Sequence, residues 1–214
     1  MFKLSLIVIF FALASANLGV WPLFESATVE SLECFLQNDI NLVYSTVWDQ
    51  YNGASTTFAD NHRTAKTAGI TYYDAVVAFN DTFLPEEICG QTVHVLPSDF
   101  NGRVWLSLYS DWTRAVGQRM KYLDSVVQTC QKHGLNVGIY SDVNTWTKVF
   151  GNKMATSGTI QALPLFYENF NDDDTFDDFQ TASFGNWAAP TMKGFVGNIK
   201  WFCGAALRVK TFFE

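Results

Sequence analysis

Residues 102–109, Gly-Arg-Val-Trp-Leu-Ser-Leu-Tyr, form a short apolar run after a glycine, and this run predicts a buried β-strand. The segment that follows, from Arg114 to His133, repeats apolar residues at the spacing of one helical face and stops at Gly134. A further strand is predicted directly after it, at Val137–Tyr140. A strand, a long helix and another strand in this order indicate parallel strands joined by a crossover, so this stretch sets an α/β fold.

The same alternation of strands and helices extends outward from this stretch in both directions. Further strands are predicted at Leu18–Trp21, Leu42–Trp48 and Ile70–Phe79, and further helices at Thr28–Gln37, Thr57–Ala68, Leu84–Leu96 and Val143–Phe150. After residues 163–167 the pattern changes to short apolar runs between glycines, with no good amphipathic helix. We therefore expect an irregular TIM-like (β/α)5β3 barrel, in which five β/α units are followed by about three helix-poor strands.

The N-terminus predicts an export signal. Lys3 precedes an apolar segment at residues 4–13, and Ala14-Ser15-Ala16 has the small-residue pattern of a cleavage site. The apolar segment is too short to span a bilayer, which needs about 20 residues. We expect a signal peptide at residues 1–16, one domain over residues 17–214, and a secreted, extracellular product. The formal net charge of −7 argues against nucleic acid or an anionic membrane as the main partner.

Four cysteines remain after the predicted signal, and an even number in an oxidising compartment predicts two disulfides with three possible pairings. We favour Cys34–Cys203, which joins the first helix to the last strands, and Cys89–Cys130. No metal-knuckle spacing or phosphate-loop motif is present in the sequence, so we expect no metal and no cofactor. Asn80-Asp81-Thr82 is a glycosylation sequon after a predicted strand, where a surface loop is expected.

Several segments of the chain resemble glycoside hydrolase family 25 (GH25), the barrel lysozymes, and most closely their invertebrate, nematode-type branch. They are Gly19-Val20-Trp21, AKTAG at 65–69, VWL at 104–106, HGLNVGIYS at 133–141, LPLFY at 163–167, FGNW at 184–187 with Pro190, and Cys203-Gly204. Each segment is weak alone, and the resemblance rests on their order and spacing over nearly the whole chain after residue 16. It implies a lysozyme-like barrel whose substrate is bacterial cell-wall peptidoglycan.

The resemblance fails at the positions that carry the chemistry. Glycosidases of this type need two carboxyl groups, and barrel enzymes place such groups at the C-terminal ends of strands. The family pattern implies Gly-x-Asp on the first strand and Asp-x-Glu on the fourth, but Trp21, Ser107 and Tyr109 stand at those positions. Residues 179–213 contain no Asp or Glu. The catalytic positions therefore predict a protein without the usual lysozyme carboxylates.

Other carboxylates follow predicted strands, and Asp111 and Glu168 are the best candidates for a rearranged catalytic pair. The competing interpretation is helix capping, with Asp142 capping the helix at Val143 and Asp111 capping a helix that starts near Thr113. Four aromatic residues are expected to line the old cleft and stack on sugars, namely Trp21, Tyr109, Tyr167 and Trp187.

Three hypotheses about function remain open. In the first, the protein is an inactive lysozyme-like protein of antibacterial innate defence that binds peptidoglycan or a related glycan. In the second, it is an active muramidase that uses the rearranged carboxylates. In the third, it is a secreted protein-interaction module. In each case we expect a monomer, with no nucleic acid and no membrane as partner.

Overall fold

The computed structural model describes residues 17–22 and 26–213, so the predicted signal peptide at residues 1–16 lies outside the described part. The strands are β1 (Asn17–Pro22), β2 (Ile40–Asp49), β3 (Gly53–Ala54), β4 (Tyr72–Phe79), β5 (Val104–Leu108), β6 (Val137–Ser141), β7 (Leu165–Glu168), β8 (Met192–Phe202) and β9 (Ala205–Phe213). The helices are α1 (Val29–Gln37), α2 (Phe58–Ala68), α3 (Pro85–Val95), α4 (Val116–Lys132), α5 (Val143–Phe150), α6 (Gly158–Gln161) and α7 (Phe179–Ala182).

Eight of these strands close into a barrel in the order β1, β2, β4, β5, β6, β7, β8, β9, and β9 pairs back with β1. Within the barrel, the strands β1, β2 and β4 to β8 run parallel to one another, whereas β9 is antiparallel to both β8 and β1. The short strand β3 lies outside the barrel and pairs antiparallel with β2. An antiparallel strand returns through a tight hairpin and needs no crossover helix, which explains why the last part of the chain is poor in helices. The predicted (β/α)5β3 barrel is confirmed.

Successive side chains of each strand point alternately into the barrel and toward the helices. Trp105 of β5 lies in the barrel interior, while its neighbours Val104 and Leu106 belong to the outer core under the helices. The interior is filled by bulky side chains, listed here in chain order: Trp21, Leu42, Tyr44, Val76, Trp105, Tyr140, Phe166, Met192 and Val209. The barrel is therefore a packed core and not a pore, and a site built by the strand ends must lie at one of its two ends.

Gly138 of β6 shows how closely this interior is packed. A Cβ atom at this position would stand 2.5 Å from the ring of Trp105, nearer than two carbon atoms can approach. The missing side chain of Gly138 makes room for the Trp105 indole, whose Nε1 donates a hydrogen bond of 2.8 Å to Asp74 at the start of β4. Small and large residues on adjacent strands thus fill the barrel together.

The helix ends test the capping predictions. Asp142 caps α5, because its carboxylate accepts hydrogen bonds from the backbone N–H groups of Asn144 and Thr145, as expected. The cap predicted for Asp111 is wrong, since α4 begins after Ala115 and has no side-chain cap. The chain before α4 is held instead by Asp81.

The cysteines form two disulfides, Cys34–Cys203 and Cys89–Cys130, which is the pairing favoured from the sequence. The first joins α1 to the turn between β8 and β9, and the second joins α3 to α4. The short helices α6 and α7, of four residues each, were not predicted. Among the residues that the structure describes, no helix is long and apolar enough to cross a membrane.

Candidate glycan-binding site

The C-terminal ends of β5, β6 and β7 surround a polar cleft of about 180 Å³, called here the mouth cleft. It is lined by Ser107, Leu108, Tyr109, Ser110, Tyr140, Ser141, Asp142, Thr145, Glu168 and Arg208. The location is the end at which TIM-type barrels carry their functional groups. The mouth cleft brings together Ser107, Tyr109 and Glu168 from the residues singled out in the sequence.

Trp21, at the first of the family's acid positions, is buried in the upper layer of the barrel interior. Its ring centre lies 5.9 Å from those of both Tyr44 and Tyr140. The guanidinium carbon of Arg208 lies 4.9 Å from the centre of the Trp21 ring, a cation–π contact on the solvent side. An indole and a guanidinium thus occupy the place where the family pattern implies a carboxylate.

Ser107 and Tyr109 lie on the same inward-facing side of the strand as Trp105, because they follow it at intervals of two residues. Neither supplies a carboxyl group, so β1 and β5 bring no acid to the mouth. Burial raises the pKa of the Tyr109 phenol, and the negative charge of Asp49 adds to the shift. Tyr109 is therefore an uncharged hydrogen-bonding and stacking group at physiological pH.

Glu168, at the end of β7, is one of two carboxyl groups that line the mouth cleft. The Tyr140 hydroxyl donates a hydrogen bond to its Oε2. Burial raises the pKa of Glu168, although the Tyr140 hydrogen bond and the positive charge of Arg208 act in the opposite direction. Glu168 consequently keeps its proton to a higher pH than an ordinary glutamic acid does.

A second carboxylate, Asp142, lines the same cleft, and its negative charge also raises the pKa of Glu168. Asp142 is occupied as the cap of α5. Asp111, the partner proposed for Glu168 from the sequence, does not line the cleft. Its Oδ2 accepts hydrogen bonds from Gln50 at 3.4 Å and from Asn80 at 3.3 Å. The structure thus places Asp142, and not Asp111, with Glu168.

Tyr167 and Trp187, predicted to stack on sugars, are buried in the outer core and do not line the cleft. The Tyr167 ring packs against Phe179 with ring centres 5.0 Å apart, and its hydroxyl donates to Asp178. Trp187 packs against Trp146 and donates its Nε1 hydrogen bond to the Leu163 carbonyl. Their placement contradicts the stacking role, because neither ring offers a free face to a ligand.

The sequence predicted an exposed surface loop at the glycosylation sequon. This prediction is wrong, because Asn80 is only 5% exposed. Its Nδ2, the atom that a glycan would modify, donates to Asp111, and its Oδ1 accepts from the backbone N–H of Thr82 at 3.0 Å. The next residue, Asp81, is 1% exposed and accepts from the backbone N–H groups of Thr113 and Arg114 at 2.6 and 2.7 Å. The sequon is part of the scaffold beneath the mouth.

A larger groove of about 660 Å³ lies on the β1–β2 side of the mouth, and we call it the β2 groove. It is lined by Trp21, Pro22, Ser45, Thr46, Asp49, residues 52–57 and Asn61. Trp21 separates the two cavities, since it lines this groove and also contacts Tyr140 of the mouth cleft. The turn after β2 carries Tyr51, whose ring lies 5.4 Å from that of Tyr109.

Sequence reasoning missed Tyr51, Tyr140 and Arg208. Tyr140 follows a strand pattern, so its inward direction was readable from the alternation along β6. Arg208 lies in β9, where no residue could be placed at the mouth before the antiparallel return was known. Tyr51 lies in a turn whose direction depends on the contacts of Asp49.

The chain matches the family model described as Lysozyme-like protein 1 over residues 20–195. This match covers most of the sequence, and the chain belongs to that family. The resemblance found from the sequence motifs is therefore confirmed.

Similar proteins align with different shares of this chain and of their own length. Counting factor 45-1 of Dictyostelium discoideum is 34% identical over 83 residues, which are 39% of this chain and 26% of that protein. The chain thus spans about a quarter of this relative. Probable GH family 25 lysozyme 4 of the same organism is 25% identical over 79% of this chain and 78% of its own length. A GH25 lysozyme structure from Aspergillus fumigatus, 13% identical, has a TM-score of 0.68 and covers 94% of each chain, so the two share a fold.

Proposed function

We propose that this protein is a secreted, lysozyme-like member of antibacterial innate defence that binds peptidoglycan or a related glycan without cutting it. The lysozyme-like family and the barrel shared with GH25 lysozymes support a cell-wall glycan as the ligand. The two disulfides are typical of a protein that matures in an oxidising, extracellular compartment.

The proposal that the protein does not hydrolyse its ligand rests on one observation. Trp21 stands at the end of β1, where the family pattern implies an acid. The Trp21 indole, covered by Arg208, fills the place of a carboxylate, and β5 supplies Ser107 and Tyr109 in place of its acid pair. Glycoside hydrolysis needs a proton donor and a second carboxylate about 5–9.5 Å from it. Glu168 is a candidate donor, but Asp142 beside it is held as a helix cap.

Retention on insoluble, purified peptidoglycan tests the binding. We expect the protein to sediment with the wall material and to release no reducing sugar from it between pH 4 and pH 8. Failure to sediment would exclude peptidoglycan as the ligand. Release of reducing sugar would contradict the inactive state, and a sample of an active lysozyme serves as the positive control for the assay.

An active muramidase is the second candidate, and the environment of Glu168 favours it. A glutamic acid whose pKa is raised by burial at a barrel mouth has the property required of a general acid. If the enzyme is active, Glu168→Gln abolishes wall lysis, while Asp111→Asn, which changes a carboxylate outside the cleft, preserves it. An unaffected lysis rate in the Glu168→Gln variant would exclude this candidate.

The alternative function, protein binding, is supported by an exposed side chain away from the mouth of the barrel. Trp201, near the turn of the β8–β9 hairpin, is 74% exposed, which is unusual for so large an aromatic side chain. If protein binding is the main activity, Trp201→Ala weakens it and leaves glycan retention unchanged. Equal capture of the variant and the wild-type protein by a cross-linked partner would contradict this alternative.

A further inference from the structure

A pocket of about 370 Å³ lies at the end of the barrel opposite the mouth, and we call it the base pocket. It is bounded by Tyr72 at the start of β4, by Arg103 just before β5, and by Phe213 at the end of β9. Its volume exceeds that of the mouth cleft and lies within the range of about 300–1,000 Å³ that small-molecule sites occupy. The packed interior separates the two cavities, so the base pocket is a candidate site of its own.

Arg103 brings a guanidinium group to the base pocket. It precedes the inward-facing Trp105 by two positions, so its side chain lies on the same side of the strand. Its guanidinium carbon lies 5.2 Å from the centre of the Trp105 ring. Among the described residues no carboxylate forms an ion pair with it, and its Nε is buried without a hydrogen-bond acceptor. A bound carboxylate would supply the acceptor that this buried donor lacks.

Asp74 places a carboxylate in the same pocket, and it and Arg103 are the charged side chains among the described residues that line it. One Asp74 oxygen accepts the backbone N–H of Arg103 and the other accepts the indole N–H of Trp105, both at 2.8 Å. A carboxylate has about four acceptor positions, so about two remain for a ligand. Burial raises the pKa of Asp74, whereas these hydrogen bonds and the positive charge of Arg103 act in the opposite direction. A bound cation would lower this pKa further.

Part of the wall of the base pocket is apolar. Leu42 and Met192 belong to the barrel interior, and Phe213 packs against the same cluster. The Tyr72 ring meets the Phe213 ring edge to face, with ring centres 6.1 Å apart, and Tyr72 is 51% exposed. An apolar group of a ligand can be removed from water against this wall.

We infer that the base pocket binds a free α-amino acid with an apolar side chain. The ligand carboxylate pairs with the Arg103 guanidinium, its ammonium group pairs with Asp74, and its side chain packs against the apolar wall. A segment inside a peptide chain carries neither charged terminus, whereas a free amino acid matches both charges of the pocket. The inference goes beyond the proposed function and does not depend on it, because the base pocket and the mouth cleft share no lining residue.

Calorimetric titration of the full chain with L-leucine and its derivatives tests the chemistry of the ligand. Leucine amide lacks the carboxylate and N-acetylleucine lacks the ammonium group, and we expect each to bind at least about tenfold more weakly than leucine. Glycine lacks the apolar side chain and should also bind at least about tenfold more weakly. The inference is overturned if leucine does not bind, or if both derivatives bind as tightly as leucine.

Substitution of Arg103 tests the position of the site. We expect Arg103→Gln to weaken leucine binding about tenfold, because the ligand carboxylate loses its charged partner. Arg103→Lys keeps the charge without the planar fork, so its affinity should lie between those of Arg103→Gln and the wild-type protein. Arg63→Gln is the matched control and keeps the wild-type affinity, since Arg63 is exposed and pairs with Asp60 outside the pocket.

Far-UV circular dichroism checks that each variant is folded. Wild-type affinity for leucine in a folded Arg103→Gln variant overturns the inference. If that variant does not fold, the comparison of leucine with its amide and its N-acetyl derivative on the wild-type protein decides the matter.

Discussion

The two ends of the barrel each bury a carboxyl group, but the two groups are satisfied differently. At the start of β4, Asp74 accepts hydrogen bonds from the backbone N–H of Arg103 and the indole N–H of Trp105, both at 2.8 Å. At the end of β7, Glu168 accepts a hydrogen bond from the Tyr140 hydroxyl and faces Arg208. Burial raises the pKa of both.

The different hydrogen-bond partners of Asp74 and Glu168 indicate different roles for the two ends of the barrel. Asp74 joins β4 to β5, because its two carboxylate oxygens each accept a hydrogen bond from the β5 segment, so its role is to hold the sheet together. Glu168 lines a cleft, and its surroundings shift its pKa. The contrast predicts that removal of a carboxylate costs stability where donors depend on it, and costs little where it faces the cleft.

The largest effect is expected for Asp81, which lies near the mouth but is bonded like Asp74. Asp81→Ala removes a buried carboxylate and leaves the partly buried backbone N–H groups of Thr113 and Arg114 without their acceptor, and we expect the free energy of unfolding to fall by about 3 kcal/mol. Urea denaturation measures this change. Asp60→Ala, which removes an exposed ion pair with Arg63, is the control and changes stability by less than about 0.5 kcal/mol. A similar loss in both variants would show that hydrogen bonding is not the cause.

Asp81 also marks the limit of prediction from the sequence. Each β/α unit was predicted because periodicity in one segment reports its own secondary structure. The position of Asp111 just before α4 predicts a helix cap, yet the loop is held by Asp81, which lies 32 residues before Thr113. Local sequence cannot reveal such a long-range acceptor.

The site was predictable where strand alternation decides direction. Ser107 and Tyr109 lie two and four residues after the inward-facing Trp105, and both reach the cleft. The same rule applied to Phe166, which faces the interior, would have directed Tyr167 toward the helices. The burial of Asn80 depends on tertiary packing and was beyond such a rule.

The second largest effect is expected for Asp74→Asn. The amide keeps one acceptor but turns an NH₂ group toward either Arg103 N–H or Trp105 Nε1–H, so one donor loses its partner. We expect the free energy of unfolding to fall by about 2 kcal/mol at pH 7. Trp fluorescence during denaturation reports the loss. A stability equal to that of the wild-type protein would remove the distinction between the two ends of the barrel.

A smaller effect of opposite sign is expected for Glu168→Gln. The amide oxygen still accepts from Tyr140, and the cost of holding an ionised carboxylate in the cleft disappears. We expect the free energy of unfolding at pH 7 to rise by about 0.5–1 kcal/mol, with the lost attraction to Arg208 limiting the gain. Thermal unfolding at pH 7 measures the change. A drop of more than about 1 kcal/mol would mean that Glu168 holds the sheet as Asp74 does.

The smallest effect is expected at pH 4. There the free energy of unfolding of the Glu168→Gln variant should equal that of the wild-type protein. The pKa of Glu168 is raised in the folded state, so the unfolded chain releases this proton first as the pH rises. The contribution of Glu168 to stability is fully present below the unfolded pKa of about 4.3 and is lost as the pH rises through the higher folded pKa. Wild-type and variant curves should therefore meet near pH 4 and separate toward pH 7. Because both proteins share every other titrating group, parallel curves over this range would refute a raised pKa at Glu168.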